Sequence, residues 1–222
     1  MKKMMTRALA VAAIVLTLNT PTLPAQVIGS AFQWYLGAQG GVMVFETPRQ
    51  ERTGIPMIGG NVLVTARRTA LMLSVEEGLG STEQTSYIDP SAAAGVRNVS
   101  FNDIRKYSAI LMVYPVKSSA QPFVGVGFGL IHLHNPFPAG PFATPDEQAN
   151  AKATAQDLGS SGFGTFVAGL QFQLGSVGAF GMYQITTSPT SGHLLEGPTH
   201  TLSGGIRVSL GGAREGISGG GY

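Results

Sequence analysis

The chain contains no cysteine. That excludes disulfides, thiolate metal ligands and a lipid-modified cysteine anchor. Charge is scarce. Asp, Glu, Lys and Arg make up 12% of the 222 residues, about half the ~25% usual for soluble domains. Beyond the first thirty residues no run approaches the ~18 consecutive apolar residues of a spanning helix. What is abundant is glycine, at 31 residues, beside a 43% hydrophobic fraction. The glycine share is about double the usual ~7%. Disorder requires low hydrophobicity and high net charge, and this composition has neither.

The N-terminus has the form of a secretory signal peptide. Lys2, Lys3 and Arg7 precede the apolar run 8–18, and Thr-Pro-Thr-Leu-Pro-Ala follows. The run is too short for the ~20 residues of a spanning helix. Cleavage is expected after Ala25. This divides the chain into a leader at 1–25, one domain at 26–210 and a Gly-rich tail at 211–222. The leader holds three of the 14 basic residues, leaving 11 against 12 acidic ones. The processed chain has no basic excess to attract nucleic acid.

The domain reads as eight segments of alternating apolar and polar residues, at 32–45, 57–65, 69–77, 101–116, 122–134, 163–174, 177–187 and 199–210. In the hairpin 163–187, Phe166, Ala168, Leu170 and Phe172 share one face, while Gln171, Gln173 and Gln184 fall on the other. Gly175-Ser176 supplies a two-residue turn. Ile110 and Met112 blur the alternation in the fourth segment. Connections after even segments are short (66–68, 117–121, 175–176). Those after odd segments are long (46–56, 78–100, 135–161, 188–198). Segments of roughly ten residues, with short turns at one end and long loops at the other, describe a transmembrane barrel. Thr144-Pro145-Asp146-Glu147 marks a helix start, giving a short surface helix over 145–157 in an extracellular loop.

The fold class is therefore all-β: an eight-stranded antiparallel up-and-down transmembrane β-barrel. In it the apolar face meets lipid, and the inner face is a polar plug of Gly, Ser, Thr, Gln and Asn. Three charges share that face: Glu76, Lys106 and Arg207. An ion pair between Glu76 and Lys106 is expected near the outer mouth, shared with Arg105 or Asp103. Arg207 needs acceptors among the glutamines and carbonyls. A soluble ligand-binding barrel would invert the pattern, with an apolar lumen and a charged exterior.

Two stretches resemble the small outer-membrane barrels of the opacity-protein and OmpA/OmpX-like superfamily. One is Pro-Phe-Val-Gly-Val-Gly-Phe-Gly at 122–129. The other is Ser-Gly-Gly-Ile-Arg-Val-Ser-Leu at 203–210. The second is similar to the assembly signal of last strands, carried here by Ser203, Gly205, Val208 and Leu210. The resemblance implies a bacterial outer-membrane location, contact with outer-membrane lipid and lipopolysaccharide, and reading of the signal by the insertion machinery. Members usually end at an aromatic that closes this strand, whereas twelve residues follow here.

No chemistry is assembled by spacing. His132 and His134 form an H-x-H with no cysteine or well-placed acid beside it. His193 lies in the last long loop. His200 and Ser203 fall on opposite faces, and His132 could reach Ser161 only through loop proximity. No metal, cofactor or enzymatic activity is expected. The loop 135–142 offers Phe137 and Phe142 for contacts. The expected role is structural or surface-interacting, through extracellular loops whose partner the sequence leaves unnamed. A narrow channel for small solutes is the alternative, and a soluble ligand-binding barrel the second.

Overall fold

The computed structural model describes residues 32–116, 118–189 and 192–213. The expected leader, its cleavage site and the tail beyond Ala213 lie outside them.

Eight long strands form the barrel: β1 (Phe32–Thr47), β2 (Gln50–Ala66), β3 (Thr69–Ile88), β4 (Val96–Val113), β5 (Ala120–Leu133), β7 (Ser160–Leu174), β8 (Val177–Thr186) and β9 (Glu196–Ala213). A two-residue strand, β6 (Phe137–Pro138), adds to the far end of β4. The helix α1 (Pro145–Leu158) starts at the Thr144 cap and ends one residue beyond the expected limit. Each barrel strand runs antiparallel to its neighbours, and β3–β4 pairing closes the ring. Across the ring every strand is paired on both sides, as hydrocarbon demands, while the extensions beyond Met57 on β2 and Gly78 on β3 are paired on one side alone.

The register fixes the shear. Following paired residues once round the barrel from His132 leads through Arg105, Glu77, Ile58, Gly40, Gly204, Gly181 and Leu170 to Pro122 on the same strand. The offset from 132 to 122 is a shear of ten residues, which for eight strands matches a tilt of roughly 40°.

Side-chain direction excludes the soluble barrel. Leu202, Ile206 and Leu210 on β9 are 66%, 55% and 65% exposed, as are Phe128, Leu130 and Leu111 at similar values on β5 and β4. These residues form an apolar outer belt, with the polar set inside.

Two expected long loops are mostly strand. β1 and β2 continue to a two-residue turn at Pro48-Arg49. β3 and β4 run on as a paired hairpin to Ile88 and Val96. Outside hydrocarbon the outer face need not be apolar, so the alternation fades there. A register shift between Leu79 and Glu83 also switches which residues point inward, from Glu76 to Glu83, Thr85 and Tyr87. β9 likewise runs to Ala213, past the expected limit at Leu210, with Gly211 at φ 100 beside a register shift against β1.

The lumen is not the uniform polar plug expected. It is layered. An apolar cluster at the turn end contains Leu63, Met72, Ile110, Met112 and Phe123. Another at the loop end contains Met43, Phe45, Phe101, Ile104 and Leu133. The polar groups lie between and below them. Ile110 and Met112 thus point inward, and their hydrophobicity serves packing of the lumen. Glycines on β5 make room for this filling: a Cβ at Gly129 would come within 2.5 Å of the Phe163 ring.

Candidate functional site

The inner polar residues form one connected chain. Lys106 Nζ lies 2.6 Å from Glu76 Oε2, with both side chains fully buried. Nζ also donates to Gln184 Oε1 at 2.9 Å and Thr201 Oγ1 at 2.8 Å. Gln39 donates to Glu76 Oε1 at 2.6 Å, and Asn61 donates to Gln39 Oε1 at 2.8 Å. Asn61 Oδ1 in turn accepts from Arg207 Nε at 2.9 Å. Arg207 reaches Gln171 Oε1 at 2.8 Å, and its guanidinium lies 3.7 Å from the Phe180 ring centroid. Gln173 stands nearer the turn end and donates to Gly175 O at 2.8 Å.

The network differs from the expected one in three respects. The Glu76–Lys106 pair lies at mid-height and not near the outer mouth. Arg105 does not join Glu76 and Lys106: it points outward and pairs with Glu77 at 2.6 Å and 3.1 Å. Asp103 offers its backbone carbonyl to His134 N. The placements of Arg105 and Asp103 follow from period two, which sends neighbours of inward residues outward.

At the loop end, sequence reasoning missed Arg97. Its side chain is buried, and it gathers three separate loop segments. It donates to Asp89, to Glu147 Oε1 at 2.6 Å and to Ala139 O at 3.2 Å. Its guanidinium lies 4.6 Å from the Phe142 ring centroid. Hydrogen bonds from Ser91 and then Arg97 hold the Asp89 carboxyl down at about 2. The Ala143 amide and then Arg97 lower that of Glu147. Phe142 thus belongs to the cap, while Phe137 is 59% exposed.

The helix is more than a surface element. Ala151 and Ala155 are buried, and Tyr87 donates to Ala151 O at 3.2 Å. Thr85 donates to Leu194 O at 2.6 Å, drawing the last loop over the mouth. Together with Leu194 and Leu195 the helix covers the loop end.

The histidines do not assemble a centre. His132 faces outward and contacts Ser160 Oγ at 2.7 Å; His200 contacts the Tyr183 hydroxyl. Among the described residues no group of three or more His, Asp or Glu could hold a metal ion. In the last strand, Ser203 and Gly205 face the lumen and Leu210 faces out.

No family model matches the chain, and no curated protein matches it. Solved structures do. Neisserial surface protein A is 10% identical over 79% of this chain and 96% of its own, with a TM-score of 0.54. The N-terminal β-barrel domain of Pseudomonas aeruginosa OprF is 10% identical over 79% and 97%, with a TM-score of 0.44. A major outer membrane protein from Thermus thermophilus is 10% identical over 81% and 100%, at 0.42. The first likeness shows the fold. Strands paired all the way round and an apolar outer belt are what a bilayer requires of a β protein. With that fold, they make the chain an eight-stranded outer-membrane β-barrel.

Proposed function

We propose that this barrel is a non-catalytic scaffold that works through its outer loops. The observation that carries this reading is the cap at the loop end. The β3–β4 hairpin continues well beyond the belt, and Arg97 ties its tip to α1 and the 139–142 segment. On this cap Ile88 is 83% exposed and Phe137 59%. Apolar side chains held out on a well-tied platform suit contact with a partner or surface. The short turns face the periplasm in this reading. The rim side chains Arg105, Glu77, His132 and Ser160 meet the lipopolysaccharide layer, and the insertion machinery reads Ser203, Gly205, Val208 and Leu210 during assembly.

The channel reading is the weaker one. Glu76, Lys106 and Arg207 cross the lumen fully buried, with one apolar cluster at the loop end and another packed around Arg207 at the turn end. Three measurements test the proposal. The native chain has no cysteine, so an Ile88→Cys variant on intact cells should react with a membrane-impermeant maleimide; protection there reverses the orientation. Cells carrying Ile88→Ser with Phe137→Ser should lose surface attachment at an unchanged protein level. A defined single-channel current from the wild type in planar bilayers would favour the channel.

A further inference from the structure

We propose that the periplasmic mouth of the barrel is a binding cup for a small oxyanion. The word periplasmic rests on the orientation given above; the chemistry of the cup does not. Charge inside the described barrel is unevenly paired along its axis. At the loop end Arg97 faces two carboxylates, Asp89 and Glu147, and Glu83 has the neutral Gln50. At mid-height Lys106 and Glu76 neutralise each other. At the turn end Arg207 is fully buried, and its partners are Asn61, Gln171, the Met72 sulfur and the Phe180 ring. Every one of them is neutral. A buried cation with no counter-charge is costly, and its field is felt most where the surrounding protein excludes water.

That field opens onto a cavity. A cup of about 310 Å³ at the turn end is lined by amides and phenols, including Gln33, Tyr35, Tyr114, Gln121 and Gln171; among the described residues its lining has Arg67 as its charged residue and no carboxylate. The volume is at the lower end of the range for small-molecule sites. Gln171 Oε1 accepts from both Arg207 Nη1 at 2.8 Å and the Tyr114 hydroxyl at 3.4 Å. Arg207 therefore stands one side chain behind the floor. Arg67 is set in the β2–β3 turn at φ 55. Two cations, amide N–H donors and no competing acid among the described lining residues favour an oxyanion, either a free phosphate or the carboxylate of a peptide fragment.

The test uses the full chain in detergent micelles at constant ionic strength. The probes are inorganic phosphate, N-acetyl-D-alanine and its neutral amide. Phosphate or the carboxylate should raise the unfolding midpoint saturably, and the neutral amide should not. The stronger of the two anions identifies the source. Arg67→Gln should weaken binding by roughly tenfold, the loss of one charge-assisted contact, and Arg207→Gln by at least as much. Heat-modifiable gel migration reports whether each barrel is folded. If Arg207→Gln does not fold, Arg67→Gln and Gln121→Leu carry the test. An absent anion response in the wild type overturns the proposal, as does an equal response in Arg67→Gln and Gln121→Leu.

Discussion

Removing the Glu76 charge should expose how much the mid-lumen network contributes. In Glu76→Gln the amide still accepts from Gln39, so the 2.6 Å hydrogen bond to that residue has a replacement. What disappears is the counter-charge 2.6 Å from Lys106 Nζ. The ammonium is left with Gln184 and Thr201, both neutral. Breaking one side of a buried pair costs about 3–5 kcal/mol. The two retained acceptors place this variant at the lower end, about 3 kcal/mol, or a factor of over 100 in the folding equilibrium. Adding Lys106→Met removes the orphaned charge and should recover most of the loss, since neutral replacement of a buried pair is often tolerated. Urea unfolding in lipid vesicles, read by gel migration, gives both values. A single-variant cost below ~1 kcal/mol would refute the reasoning. So would a double variant no more stable than the single one.

Three other outcomes follow from the geometry. Gly205→Ala should block or slow assembly, because a Cβ there would stand 2.1 Å from Ala38 O on the neighbouring strand; the folded fraction after membrane extraction checks it. Ile206→Arg, in the middle of the outer belt, should cost about 2–4 kcal/mol of stability in bilayers, and much less in urea-containing detergent. Asp89 is held at about 2, below its ordinary 3.8. A depressed carboxyl contributes stability above pH ~3.8 that is lost as pH falls through ~2. Pepsin cleavage between residues 139 and 147 should therefore rise over that interval, and Asp89→Asn should be cleaved readily at both ends of it.

The membrane-facing half of the fold was legible because lipid imposes a rule on every second residue. Leu202, Ile206 and Phe166 obey it, and so the eight strands could be placed. Where the strands leave hydrocarbon the rule lapses. The extensions at 50–56 and 78–88 carry polar residues on both faces and read as loops. The expectation of a polar lumen failed for a related reason. Met72, Ile110 and Met112 break alternation, and only their burial shows that the lumen is filled by apolar layers. Arg97 could not be found at all. Its carboxylate partners stand eight and fifty residues away in sequence, and nothing but the folded cap brings them together. The helix was readable at its start, from the Thr144 cap and Pro145, but its covering role was not.

The seam between β1 and β9 joins residues as far apart as Phe32 and Ala213. Until the last strand arrives, seven strands form a curled sheet with two long bare edges and an apolar outer face. Such edges template pairing with other chains, and contacts so distant in sequence form slowly. The closed ring has no edge to defend within the bilayer, but its unfinished forms have little else. Its survival before closure thus depends on whatever shields those edges, which makes the order of strand delivery as consequential as the strands themselves.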